Sequence, residues 1–136
     1  AGLCIELGHE REGASWRQRA ERLYDKLVRH SWRGDHFVCP RSADHHVAEG
    51  DSLVPFMPLL LGPRLDAAKC RALVRGVRRF VTPHGVATEN PESPFYEPDG
   101  YWRGPVWAPS TYLIVCGLTA CGVVRLADRI ARAFCR

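Results

Sequence analysis

An all-α fold of helical hairpins in two layers is what the sequence predicts, and three observations carry it. Apolar residues recur at helical spacing in several segments. Helices with one wet face alternate with segments that are apolar on every face. That alternation suits hairpins set in a ring, with an outer and an inner layer. No segment alternates apolar and polar residues with the period of a strand. The chain has 136 residues, enough for one domain and too few for two comfortable ones.

Ala1 to Gly8 reads as the end of a helix, with Leu3, Ile5 and Leu7 apolar and Gly8 a C-terminal stop. Ser15 and Gln18 have the spacing of a capping box, which predicts the start of the next helix. Its apolar stripe is Trp16, Ala20, Leu23, Tyr24, Leu27 and Val28. Ser31 to Glu49 loses the period and reads as a loop. Asp51 to Leu61 has no polar face and two prolines, Pro55 and Pro58, so it is expected to be bent and deeply buried. Gly62-Pro63 then opens a helix with an inner stripe of Leu65, Cys70, Leu73, Val77 and Phe80. Its arginines, Arg64, Arg71, Arg75, Arg78 and Arg79, fall on a solvated face. Val81 to Pro105 is a long loop carrying Phe95, Tyr96, Tyr101 and Trp102. Disordered segments are poor in aromatics, so this loop is expected to be functional. Trp107 to Cys121 is a helix apolar all round. Val123 to Phe134 is amphipathic, with Val123, Ala127, Ile130 and Phe134 on one side.

Composition excludes several classes. The hydrophobic share of 46% and the charged share of 25% argue against disorder, collagen and coiled coil. Net charge is +4, and the arginines alternate with acids, which speaks against a nucleic-acid partner. The most apolar stretch, Thr111 to Val124, is shorter than the roughly 20 residues that span a bilayer, so no membrane partner is expected. Six cysteines occur with no CxxC pair; they read as small buried hydrophobes in a reducing, cytoplasmic setting. His36, Asp44, His45 and His46 are close enough in sequence to suggest a metal cluster, but adjacent histidines diverge and lack helical spacing, so no metal and no cofactor is expected. GxSxG, Walker and GxGxxG motifs are missing, which removes support for serine-hydrolase and nucleotide chemistry.

The segment with chemical content is Tyr101-Trp102-Arg103-Gly104-Pro105-Val106-Trp107-Ala108-Pro109. Aromatic faces cover the C–H surfaces of sugars and bury large area at little rotamer cost. Arginine adds a rigid fork of donors for hydroxyls or a carboxylate. Gly104 and Pro105 fix the turn. The same residues could instead only pack the loop onto the helices.

The Tyr101–Trp107 string, followed by Tyr112-Leu113 and the glycines at 117 and 122, resembles glycoside hydrolase family 63, in particular its mannosylglycerate hydrolase-like members. The order of elements from Ser52 through the Gly85 loop is similar too. The resemblance implies an (α/α)6 barrel, of which residues 1–136 form one partial domain. It also implies inverting hydrolysis of a small α-linked glycoside such as mannosylglycerate, glucosylglycerate or an α-glucoside. Tyr101, Trp102 and Trp107 would touch the sugar, while Arg103 and Gly104 shape the pocket. Inversion needs two carboxyl groups about 6.5–9.5 Å apart. Neither family position falls within this sequence, so no catalytic residue is assigned and the isolated chain is expected to be inactive. With the rest of the barrel missing, it is expected to expose apolar edges and to associate. Glu89, Glu92, Glu97 and Asp99 share the loop with the aromatics, and hydrogen bonding to ligand suits them better than catalysis. The rival readings are a non-catalytic sugar-binding or helical interaction module and, among enzymes, a trehalase or glycogen-debranching relative.

Overall fold

The computed structural model describes residues 1–39 and 50–136; Asp44, His45 and His46 lie outside them. The described chain divides into two compact units, residues 1–32 and 33–136.

The first unit is a helical hairpin of α1 (Gly2–Glu6) and α2 (Glu10–Ser31). Gly8 closes α1 with φ +79°, a left-handed value that costs glycine nothing. Helix α2 begins five residues before the Ser15–Gln18 pair, so those residues are interior and form no capping box. Its start is favoured instead by Glu10 and Glu12 in the first turn, and its end by Arg29 and His30, each matched to the helix dipole. The predicted stripe is only partly covered. Trp16 is 46% and Leu23 67% exposed. Trp16 finds its partners on its own helix: its indole N–H donates to Glu12 Oε1 (3.4 Å), and the Arg19 guanidinium lies 4.7 Å from its ring centre.

The second unit is organised around a 3-10 segment, Val54–Arg64, lying against α4 (Ala108–Ala120). Prolines at 55, 58 and 63 remove backbone donors and favour this tighter, irregular winding. Phe56 and Leu59 point inward, but Val54 and Leu60 are about half exposed, so the segment is not wholly buried. Gly117 lets the two backbones approach: a Cβ there would lie 2.8 Å from Leu59 Cβ and 2.9 Å from Leu59 C. The pair Gly62-Pro63 ends the 3-10 segment and does not open a helix. Gly62 sits at φ +51°, inside a break in the winding.

Helix α3 (Ala67–Val77) starts at Asp66, whose carboxylate accepts from the Lys69 backbone N–H (2.8 Å) and pairs with its ammonium. The Lys69 ammonium, then its N–H, hold the Asp66 carboxyl below its ordinary value. A depressed folded value means stability that is present above the unfolded value of 3.8 and lost as pH falls through the folded one. Asp66→Ala should therefore lower the melting temperature by about 2–6 °C at neutral pH, and the gap should close in acid. Melting curves at several pH values test this; a gap that persists unchanged in acid would refute the charged cap.

Leu65, Leu73, Val77 and Phe80 form the inner stripe as expected, joined by Leu53, Leu59, Val86, Ile114, Leu118 and Ile130. Each such buried side chain contributes roughly 1.5–3 kcal/mol of transfer free energy. Helix α5 (Val124–Phe134) closes the unit through Leu126, Ala127 and Ile130, while Phe134 is partly exposed. Helix α4 is not buried all round: Tyr112 is 68% exposed and Leu113 37%.

The loop after α3 is more ordered than its composition suggests. It opens with a small antiparallel hairpin, β1 (Val81–Thr82) with β2 (Gly85–Val86), which the absence of a strand pattern did not foretell. Two-residue strands are too short to show a period. Thr82 Oγ1 accepts from the His84 N–H (3.1 Å), so His84 belongs to the turn. Isolated bridges then pair Ser52 with Glu89 and Ala87 with Val106.

Candidate functional site

Three of the predicted site residues come together. Tyr101, Trp102 and Trp107 form one aromatic cluster. Trp102 and Trp107 stack with centroids 5.0 Å apart and planes at 22°. Tyr101 meets both edge-on, at 5.3 and 4.9 Å. The Trp107 indole N–H donates to the Tyr101 carbonyl (2.7 Å), closing the loop on itself. Tyr101 and Trp102 remain 67% and 56% exposed. Stacking commits one face of each indole to the other, which leaves the outer face of Trp102 and the flank of Tyr101 available to a ligand.

Gly104, in the same segment, is buried. Its N–H donates to Thr88 Oγ1 (3.2 Å), its carbonyl accepts from the Thr88 N–H (3.3 Å), and Thr88 Oγ1 donates to the Pro105 carbonyl (3.1 Å). On its other side the Glu97 N–H donates to the Arg103 carbonyl (2.7 Å). The exposed Arg103 has its guanidinium 5.7 Å from the Phe95 ring centre.

A polar network that sequence reasoning did not find supports the loop's entry. Glu89 is 3% exposed, and its Oε1 accepts from the Asp51 N–H (2.6 Å) and the Ser93 hydroxyl (2.7 Å). Asp51 takes a two-pronged contact from Arg79 (2.8 and 3.2 Å) and a bond from Asn90 Nδ2 (2.8 Å). The Asn90 N–H also donates to the Asp51 carbonyl (2.8 Å). Arg79 is exposed as expected and also tethers Asp51, with its guanidinium near the rings of Phe56 and Phe80. Of the four loop acids weighed for catalysis, Glu89 is occupied inside this network. Glu92, Glu97 and Asp99 are exposed.

His36 Nδ1 lies 2.6 Å from Asp35 Oδ1, and that hydrogen bond holds the Asp35 carboxyl below its usual range. Among the described residues, no three His, Cys, Asp or Glu side chains are grouped to hold a metal. No helix among them is long and apolar enough to cross a membrane.

Known proteins bear on this arrangement. The mannosylglycerate hydrolase MGH1-like glycoside hydrolase domain matches residues 1–136. Mannosylglycerate hydrolase MGH2 of Selaginella moellendorffii is 27% identical over 133 residues, covering 96% of this chain and 26% of its own. Mannosylglycerate hydrolase of Thermus thermophilus is 44% identical over 41 residues, 30% of this chain and 10% of its own. Among solved structures, the family 63 mannosylglycerate hydrolase of Thermus thermophilus in complex with glucose superposes with a TM-score of 0.79 at 23% identity. The match covers 97% of this chain and 32% of that one. Neutral trehalase Nth1 of Saccharomyces cerevisiae superposes at 0.74 with 22% identity, over 89% of this chain and 23% of that one. The fold is accordingly that of a partial α/α barrel. The chain spans about a quarter of the length of the curated relatives it matches. It belongs to the mannosylglycerate hydrolase MGH1-like glycoside hydrolase family.

Proposed function

We propose that these residues are part of an inverting α-glycoside hydrolase acting on a small α-linked glycoside, mannosylglycerate or glucosylglycerate first among them, and that they supply its aromatic sugar-binding wall. The observation that carries the reading is the Tyr101–Trp102–Trp107 cluster, exposed yet pinned by the Trp107–Tyr101 and Thr88–Gly104 hydrogen bonds. A wall held in place before the ligand arrives loses little entropy on binding. Gly104 keeps that wall in position, and Arg103 borders the pocket and offers donors to ligand hydroxyls or carboxylate.

The acid and the base of inversion come, in this reading, from elsewhere in a longer protein. In support, Glu89 is tied to two donors, Asp51 is tied to Arg79, and the other loop acids are exposed. We place the protein in the cytoplasm, on six cysteines without a CxxC pair, although, against expectation, none is fully buried: Cys39 and Cys135 are exposed and the other four half-buried.

Calorimetric titration of the chain with mannosylglycerate and glucose tests the wall. Binding is expected without turnover. Trp102→Ala should weaken it about tenfold, or ~1.4 kcal/mol. Unchanged affinity in Trp102→Ala would remove the wall from the reading. Hydrolysis by the chain, lost in a Glu92, Glu97 or Asp99 variant, would overturn the assignment of the acid and base.

A further inference from the structure

Cys70 lies in the first turns of α3, and Cys121 follows the last residue of α4. They are 51 residues apart in sequence, yet their Sγ atoms are 2.9 Å apart. Each sulfur also faces a backbone carbonyl of the 3-10 segment. Cys70 Sγ lies 3.9 Å from the Gly62 oxygen and Cys121 Sγ 3.8 Å from the Leu59 oxygen. The two thiols therefore meet where α3, α4 and the 3-10 segment converge. A groove of ≈ 430 Å³, lined by Gly62, Pro63, Cys70, Arg71, Cys121 and Val123 among others, reaches both of them. Arg71 is exposed at its edge and gives the groove a positive charge.

We propose that Cys70 and Cys121 are a reversible dithiol–disulfide pair, oxidised by low-molecular-weight disulfides that enter this groove. In the first step the Cys70 sulfur attacks the small disulfide. A Cys70–S–S–R bond forms, the R–S–S–R bond breaks, and one R–SH leaves. In the second step the Cys121 sulfur attacks the Cys70 sulfur. The Cys70–Cys121 bond forms and a second R–SH leaves with the remaining proton. The two cysteine sulfurs are oxidised and the small disulfide is reduced to two thiols.

Burial, and secondarily the Cys70 sulfur beside it, push the Cys121 thiol up to about 12. Cys121 must therefore give up its proton, to water or to the departing thiolate, as it attacks, so the second step is the slower one and quickens as pH rises. Proximity substitutes for nucleophilicity there, because the partner sulfur is already in contact. The bond would tie α3 to the end of α4 across a 51-residue loop, and long loops gain most from closure. Disulfides in a reducing compartment are typically transient, so the pair reads as a redox-responsive lock.

The test is incubation of the chain with oxidised glutathione, an acid quench, and peptide mapping by mass spectrometry. The expected product is a Cys70–Cys121 linked peptide lacking two hydrogens. Its formation should raise the melting temperature by on the order of 10 °C, reversibly with dithiothreitol. Cys121→Ser should trap a glutathione adduct on Cys70, and neither Cys70→Ser nor Cys121→Ser should show the rise. The proposal is overturned if the linked peptide does not form, if adducts on Cys70 accumulate without it in the unaltered chain, or if other cysteine pairs link as readily.

Discussion

Gly76→Ala is expected to destabilise the second unit by about 1–3 kcal/mol, although alanine is the better helix former. Gly76 lies in the last turn of α3, where propensity alone favours the substitution by up to about 1 kcal/mol. The obstacle is Phe56. A Cβ on residue 76 would lie 1.9 Å from Phe56 Cε1 and 2.6 Å from Cζ, far inside contact. The ring cannot swing away cheaply. It is 3% exposed, meets Phe80 at 5.4 Å with planes at 58°, and has the Arg79 guanidinium 6.0 Å from its centre. Moving it disturbs the packing of α3 on the 3-10 segment and strains the Arg79–Asp51 tether beside it. For a domain of this size the loss corresponds to a fall in melting temperature of about 4–12 °C.

A double-mutant cycle separates this steric account from a general sensitivity of the helix. Phe56→Ala alone should cost about 3–5 kcal/mol through the cavity it leaves. In that background Gly76→Ala should become neutral or stabilising, since the obstruction is gone and propensity remains. The two changes should thus couple by more than 1 kcal/mol, about the size seen for residues in contact. Equal destabilisation by Gly76→Ala in both backgrounds would defeat the explanation.

The same packing marks what the amino-acid sequence could and could not disclose. Periodicity located α3 and α5, because each buries a stripe against the unit's core, and an unbroken apolar run located α4. It misplaced two helix starts, since local signals there are ambiguous. Ser15 and Gln18 match a capping box but lie mid-helix, and Gly62-Pro63 resembles an N-terminus while Asp66 is the cap. The aromatic cluster was legible because Tyr101 to Trp107 is contiguous, and the Trp107 indole N–H closes it by donating to the Tyr101 carbonyl. The Glu89–Asp51–Arg79 network was not. Its partners are 38 and 28 residues apart, and nothing in a sequence announces which acid folds back onto which arginine. The Cys70–Cys121 contact was hidden in the same way, by 51 residues. The exposure of Tyr112 and Leu113 on α4 escaped for a different reason. An apolar residue type reports what a side chain tolerates, and what covers it is decided by other segments.

Gly104→Ala is the substitution that should dismantle the aromatic wall while sparing the core. Its Cβ would lie 2.1 Å from the Glu97 carbonyl oxygen and 2.8 Å from the Glu97 carbonyl carbon. Both are backbone atoms, so no rotamer change relieves the clash, and the strands of the loop must separate. Separation breaks the Glu97–Arg103 bond (2.7 Å) and pulls Gly104 off Thr88, releasing the segment that carries Tyr101 and Trp102. Thr88, 6% exposed, would be left with unpaired polar groups, a cost of about 1–3 kcal/mol. Phe80, Ile114 and Leu118 are held by other contacts, so cooperative melting should survive at a lower temperature. Two readings identify the local effect. Circular dichroism should lose the exciton signal of the Trp102–Trp107 stack, and tryptophan emission should shift red as the rings part. Sugar affinity should fall at least as far as in Trp102→Ala, because the whole wall loses its frame and not one ring. A Gly104→Ala chain that keeps both the exciton signal and the affinity would mean that the close approach to Glu97 does not hold the wall in place.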